Sequence, residues 1–414
     1  MPDIQGVVNE FIDKLKKRKV EGSLETAQLT AELLRSVISA QKLPPTNQAA
    51  ALIEAVRDVG EKLIAANPVE LSVGNIVRRV LHIIREEDVS LLTSDTGNLT
   101  LLPGGDEKET VGQGDQCDPF AAAIGAESLR PQLLHMLLGN MPNSAAACHT
   151  YSFGENAEEK SKSDIFGRSR KLKHDVIEAI NVLIEDIDTS HELIGEQAVE
   201  HIHQSEVILT LGQSRTVLEF LRAAKDNKRS FRVFVAEGAP RYQGHALAQE
   251  LVGRGLKTTV ITDSAVFAMI SRTNMVIVGV HAVMANGGVI APVGMNMVAL
   301  AAQKHAVPFV VVAGIHKLCP LYPDNPEVSS NNLRSPSELL EFGEFSACMD
   351  FGCLGGAPLV HVMNPVFDYV PPELVSLIIT DIGGHKPSYV YRLINDYYSS
   401  EDFVLNPKDA SLKV

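Results

Sequence analysis

The chain has 414 residues, 45% of them hydrophobic and 21% charged, and a formal charge of −14. That length exceeds the roughly 250–300 residues at which a single core stops growing, so two domains are expected. The acidic balance argues against wrapping a nucleic acid or an anionic membrane, and no run of about 18 uninterrupted apolar residues offers a membrane span.

The amino-terminal half reads as helix. Val7, Val8, Phe11, Ile12 and Leu15 recur at helical spacing, and Lys16–Lys19 follow, where cations suit a helix end. Met1–Lys19 is amphipathic and lacks the apolar core of a signal peptide. With five cysteines and no CxxC pair, this points to reduced thiols in a cytosolic or nuclear protein. Ser23 opens a second helix through Ser39, Thr46 caps a third through Ala66, and Glu70 to Glu86 forms a fourth. Val89–Gly114 turns polar and Gly-rich, as a surface insertion does, and Gly154–Ser163 reads as a second flexible stretch. Between Lys171 and Gln204 the helical period returns, which places a domain junction near residue 200 and divides the chain into 1–200 and 201–414.

After Glu206 the period changes. Apolar runs at VILTLG, Phe231–Ala236, Lys257–Thr262, Met275–Gly279 and Pro308–Ala313 alternate with helical stretches at Ser214–Asn227, Gln243–Arg254 and Gly294–Ala306. Buried strands separated by helices predict βαβ units and a parallel sheet, so the fold class is α/β. The rhythm breaks at Pro323–Pro358, an expected insertion, and resumes in Pro365–Tyr369 and Leu374–Thr380 before a last helix at Pro387–Tyr398.

In such sheets ligands sit at the carboxyl ends of strands, where Asp263 and Gly279 fall. Asp263 suits an acid/base at the sheet rim, or a helix cap. Asn286-Gly287-Gly288 presents backbone N–H groups to a phosphate, or simply makes a turn. His201 and His203 do not share a helix face, and Cys148-His149 adjacency does not build a nucleophile pair, so no metal site is expected. The cluster Lys160, Lys162, Arg168, Arg170, Lys171 and Lys173 suits an acidic or phosphorylated partner, or a solvated helix entrance. There is no P-loop and no GxGxxG, so no cofactor is expected.

Several of these residues together carry a resemblance. Thr210–Val217 (TLGQSRTV), Val235–Pro240 with Gln243-Gly244-His245, Thr259–Asp263, Ala285-Asn286-Gly287, Ala299–His305 and the tail Pro365–Leu374 with Ile382-Gly383-Gly384 span nearly all of Glu206–Tyr398. They resemble the alpha, beta and delta regulatory subunits of eukaryotic translation initiation factor 2B and their sugar-phosphate isomerase relatives, the tail being most similar to the beta branch. The resemblance implies a helical amino-terminal domain followed by a Rossmann-like parallel-sheet domain.

It also implies what this chain lacks. The nucleophilic cysteine of the isomerases falls at Gly212, their phosphate-holding Asn-Lys pair at Ala291 and Pro292, and a further aspartate at His281; their acid/base aspartate is kept as Asp263. A charged hydrogen bond to phosphate contributes about 1.5–3 kcal/mol, and without the nucleophile the chemical step is gone. No catalytic residue and no metal is therefore expected, and Gly212, Asp263, Asn286 and Gly287 would outline a vestigial pocket. The implied role is a non-catalytic subunit of a guanine-nucleotide exchange factor that binds initiation factor 2, chiefly its alpha subunit, and senses its phosphorylation during stress. Its partners would be alpha, delta, gamma and epsilon subunits, with no direct contact to nucleic acid or membrane. Val366, Phe367 and Tyr369 are the expected interface. An isomerase or a metabolite-sensing module on the same fold is the alternative.

Overall fold

The computed structural model describes residues 4–20, 22–44, 46–97, 156–323, 333–340, Gly343 and 361–405. Among the described residues six helices come first: α1 (Ile4–Lys16), α2 (Ser23–Ala40), α3 (Gln48–Ala66), α4 (Leu71–Gly97), α5 (Asn156–Glu196) and the single turn α6 (Ala198–His201). Their apolar residues fall at steps of three and four. Ala27, Ala31, Leu34 and Ile38 of α2 meet Leu52 and Val56 of α3, Val77, Val80 and Ile84 of α4, and Val176, Ile180 and Ile187 of α5 in one core. α3 and α4 approach closely because Gly60 carries no side chain: a Cβ there would lie 2.5 Å from Val77 Cγ1.

Two helix boundaries differ from the sequence reading. α4 does not stop at Glu86 but runs through Gly97, because Leu91 is buried in the helical core and keeps the next turns in register. α5 starts at Asn156, inside the stretch expected to be flexible; its Glu, Lys and Ala residues are good helix formers without an apolar stripe. Residues 98–114, 154–155 and most of 323–358, the rest of the expected flexible stretches and insertions, lie outside the described ones. Of the basic cluster, Lys173 donates its Nζ to the carbonyls of Ser39 (2.6 Å) and Gln41 (3.0 Å) and so closes the carboxyl end of α2.

The second region is a seven-stranded sheet. Its strands are β1 (Val207–Leu211), β2 (Arg232–Ala236), β3 (Lys257–Ile261), β4 (Met275–Gly279), β7 (Phe309–Val312), β9 (Leu377–Thr380) and β10 (Gly383–His385), in the order β10-β9-β7-β4-β1-β2-β3. All pairs are parallel except β10 with β9. The six parallel strands therefore run in the doubly wound order, with the reversal between β1 and β4. Successive residues point to opposite faces. Leu209, Phe234, Val276, Val278 and Val311 join one core with α9 (Val266–Ile270), α10 (Met295–Lys304) and α11 (Val390–Tyr397). Ile208, Val233, Ile277 and Val310 join the other with α7 (Arg215–Asp226), α8 (Gln243–Gly253) and residues of α5 and α6.

A smaller antiparallel sheet holds β5 (Ala282–Val283), β6 (Val289–Pro292) and β8 (Phe367–Val370), with the Asn286–Gly288 turn closing the β5–β6 hairpin. The tail strand expected at Pro365–Tyr369 thus leaves the main sheet and pairs with β6. No helix of the described residues is long and apolar enough to cross a membrane.

Residues Met1–Leu91 and Gly167–Val414 form one compact unit, and Leu92–Phe166 form a second. Within the first, the carboxy-terminal segment returns to the helices. Asp402, wholly buried, accepts from Arg57 Nη2 (2.9 Å) on α3 and from Arg85 Nε (3.0 Å) and Nη2 (3.1 Å) on α4. Arg79 donates to the Tyr397 carbonyl, Tyr398 Oη donates to the Leu318 carbonyl at 2.8 Å, and Leu405 enters the helical core.

Candidate functional site

The strand order reverses between β1 and β4, so the loops leaving those two strands diverge and open a crevice at their carboxyl ends. It forms a cavity of about 490 Å³. Gly212 turns the chain out of β1 at φ +76°, and the Ser214 hydroxyl then caps α7 by accepting from Val217 N–H. Gly279 ends β4 against that cap: a Cβ there would collide with Ser214 Oγ. The turn out of β1 and the end of β4 are thus fitted to each other by missing side chains.

The walls mix apolar side chains with several polar and charged ones. From the helical region come Arg18 and Glu70; from the sheet come Arg215, His281, His316 and Lys317. Glu70 accepts from Ser72 Oγ at 2.5 Å and lies 3.5 Å from His281 Nε2, near enough for attraction but not aligned as a hydrogen bond. His281 stacks on Phe367 with ring centroids 4.5 Å apart. Lys317 donates to the Val280 carbonyl at 3.0 Å, and Asn75 of α4 donates to the His316 carbonyl at 3.2 Å. Burial holds His316 uncharged, its pKa pulled down to about 3, with Lys317 beside it adding to the effect. Burial also brings Lys317 down to about 8, partly offset by the Glu70 carboxylate. Arg215 Nη2 is 3.2 Å from His191 Nε2. Among the described residues, His191 Nδ1, His281 Nε2 and His316 Nε2 are buried without a hydrogen-bond partner.

Of the four residues expected to outline a pocket, Gly212 alone lines this cavity. Asp263 sits at the end of β3, as expected, but it caps no helix. Its carboxylate accepts from Gly238 N–H (2.9 Å) and Ala239 N–H (2.7 Å), holding the loop after β2. The parallel register Ala236 to Ile261 explains this, since both loops leave the sheet at one level. Asn286 accepts from Gly288 N–H (2.9 Å) and donates to Tyr369 Oη (2.7 Å), and Gly287, at φ +83°, packs against the Pro387 carbonyl. Asn286 and Gly287 belong to a hairpin turn rather than to the crevice.

Val366 and Phe367 do line the cavity, and with Tyr369 they are half-buried in their own chain. Ala291 is fully buried; Pro292 lines the cavity, 4.0 Å from where a side chain at Gly212 would begin. Cys148 and His149 lie outside the described residues. Glu70 and Lys317 were not found by sequence reasoning. The available signal was His316-Lys317 placed shortly after a wholly apolar strand, where titratable side chains have little solvent to reach.

Comparison with known proteins gives four findings. Residues 19–387 match the model of the initiation factor 2 subunit family. The chain is 40% identical over 394 residues, 95% of each sequence, to translation initiation factor eIF2B subunit beta of Dictyostelium discoideum. It is 29% identical over 269 residues to ribose 1,5-bisphosphate isomerase of Archaeoglobus fulgidus, covering 63% of this chain and 77% of that one. In fold it is similar to a chain of the crystal structure of the tetrameric eIF2B-beta2-delta2 complex from C. thermophilum, with a TM-score of 0.62, 24% identity and 96% of each chain covered.

Proposed function

Because this chain belongs to the initiation factor 2 subunit family, we propose that it works as a beta-type regulatory subunit in translation initiation, by binding and not by catalysis. The observation that carries this reading is the crevice itself. Where the isomerase relatives would place a nucleophile there is Gly212, and where they would grip a phosphate there are Ala291 and Pro292, the proline facing the empty position. Asp263, the acid/base counterpart, is bound to two backbone N–H groups and does not line the crevice. The purified chain should leave ribose 1,5-bisphosphate unchanged; turnover that survives further purification would overturn the non-catalytic reading.

The partners follow from the same reading. In the cytoplasm the chain joins alpha, delta, gamma and epsilon subunits into a guanine-nucleotide exchange factor, and it contacts initiation factor 2 through the alpha subunit of that factor. Pairing with a delta-type subunit uses the tail around Val366, Phe367 and Tyr369. Phe367 stacks on His281 and Tyr369 binds Asn286, so changing either disturbs this chain's own packing. Val366→Glu is the cleaner test. It should release the delta-type subunit while leaving the melting temperature of the chain unchanged, and retention of that subunit would remove Val366 from the interface.

The cavity favours a second reading, in which the subunit also takes up a small metabolite. Three buried imidazole nitrogens without partners, beside Arg215 and Lys317, are groups that a polar ligand would satisfy. A dose-dependent rise in melting temperature with ribose 1,5-bisphosphate, in the absence of turnover, is the expected result.

A further inference from the structure

Lys317 is 8% exposed and forms part of the cavity wall. Among the described residues its amine has one hydrogen-bond acceptor, the Val280 carbonyl, and no carboxylate within ion-pair distance. Glu70, the nearest acidic group acting on it, is already engaged by Ser72 and faces His281. The neighbouring His316 is uncharged and keeps an unpartnered Nε2. Burial in this setting disfavours a permanent ammonium, and a lysine so placed presents a large free-base fraction in mildly alkaline solution. Desolvated lysines beside other cationic groups are nucleophiles toward carbonyl carbons.

Arg215 supplies the second half of the argument. It stands in the first turn of α7, its guanidinium lies 3.2 Å from His191 Nε2, and no carboxylate neutralises it among the described residues. A helix start with an unneutralised guanidinium on the same cavity suits an anionic group.

We propose that Lys317 captures a small anionic aldehyde in this crevice as a reversible imine, with Arg215 holding the anion. The nitrogen lone pair attacks the carbonyl carbon, one N–H proton passes to the oxygen, and the resulting carbinolamine loses water to give C=N. No oxidant or reductant enters, and hydrolysis returns lysine and aldehyde. The proposal rests on the second reading above, that the cavity takes a metabolite, and it adds the bond and the residue that makes it.

The test uses the full chain with its co-purifying subunits and pyridoxal 5′-phosphate as the probe, followed by borohydride reduction and peptide mapping. Lys317 should carry the adduct at pH 8 in preference to surface lysines such as Lys62 and Lys386. Pyridoxal without the phosphate should modify it less. Arg215→Gln should weaken capture about tenfold or more, as loss of one charge-assisted hydrogen bond does. Lys317→Met, checked by its melting curve, should abolish the preferred adduct. Modification of surface lysines with Lys317 untouched until urea is added would overturn the proposal. A melting-temperature rise with the probe and no adduct at Lys317 would sink the imine and keep the metabolite reading, whereas neither shift nor adduct would end both.

Discussion

Asp263 shows how a side chain recognised on the right grounds acquires a different task. Its place at the end of β3 is readable from KTTVIT followed by Asp; its partners are not, because they belong to a loop more than 20 residues upstream that only the β2–β3 register brings alongside. Hydrogen bonds to a charged group contribute about 1.5–3 kcal/mol each, discounted at this partly exposed site. Asp263→Ala should therefore lower stability by about 2 kcal/mol in urea denaturation and loosen residues 238–240 in hydrogen exchange. His316 allows a test by pH. Its folded pKa, about 3, lies below the unfolded value of about 6.5, so between those limits the unfolded chain binds the extra proton. Stability is then lost as pH falls from about 6.5 towards 3, by at most about 1.4 kcal/mol per pH unit from this group. His316→Gln should flatten that part of the curve. Lys317 acts on the alkaline side: its folded pKa of about 8 lies below its ordinary 10.5, so unfolding takes up a proton in that window and stability from this group rises with pH across it.

At the scale of elements, legibility followed periodicity. The five long parallel strands from β1 to β7 and the helices between them were readable because buried strands and amphipathic helices have distinct periods. The hairpin β5–β6 and the edge strand β10 were not: β5 is two residues, too short to show a period although it is buried, and Gly383-Gly384-His385 holds no apolar pattern. The same limit hid Glu70 and Lys317: the residue before α4 is brought to His281, just beyond the end of β4, and its charge acts on Lys317 from there. The clamp on Asp402 was equally out of sight, since its arginines sit on α3 and α4 at the opposite end of the chain. Breaking a buried ion pair costs about 3–5 kcal/mol, less here because both arginines keep some exposure. Asp402→Ala should thus cost about 2–3 kcal/mol and raise amide exchange in α3 and α4 far more than in the sheet. Equal loss in both regions would count against a local clamp.

For the whole molecule, Met1–Leu91 and Gly167–Val414 are one compact unit although they contain two kinds of architecture. Asn75 on His316, Arg79 on Tyr397 and Asp402 on Arg57 and Arg85 all cross between helices and sheet. Helical and sheet probes within this unit should therefore report one coincident unfolding transition, and two separated transitions would refute the coupling. A helical region produced alone, without Leu405 and Asp402, should melt below the intact chain.

The carboxy-terminal clamp also sets an order in time. α1 to α4 are synthesised before the sheet, yet Leu405 and Asp402, which complete their core and their arginine cluster, come more than 300 residues later. At about 5–20 residues per second the interval is on the order of 15–60 s. Throughout it Arg57 and Arg85 lack their carboxylate and the helical core lacks Leu405. A nascent chain that stalls anywhere before residue 402 is thereby marked as unfinished at its amino-terminal end, where a chaperone would meet it first.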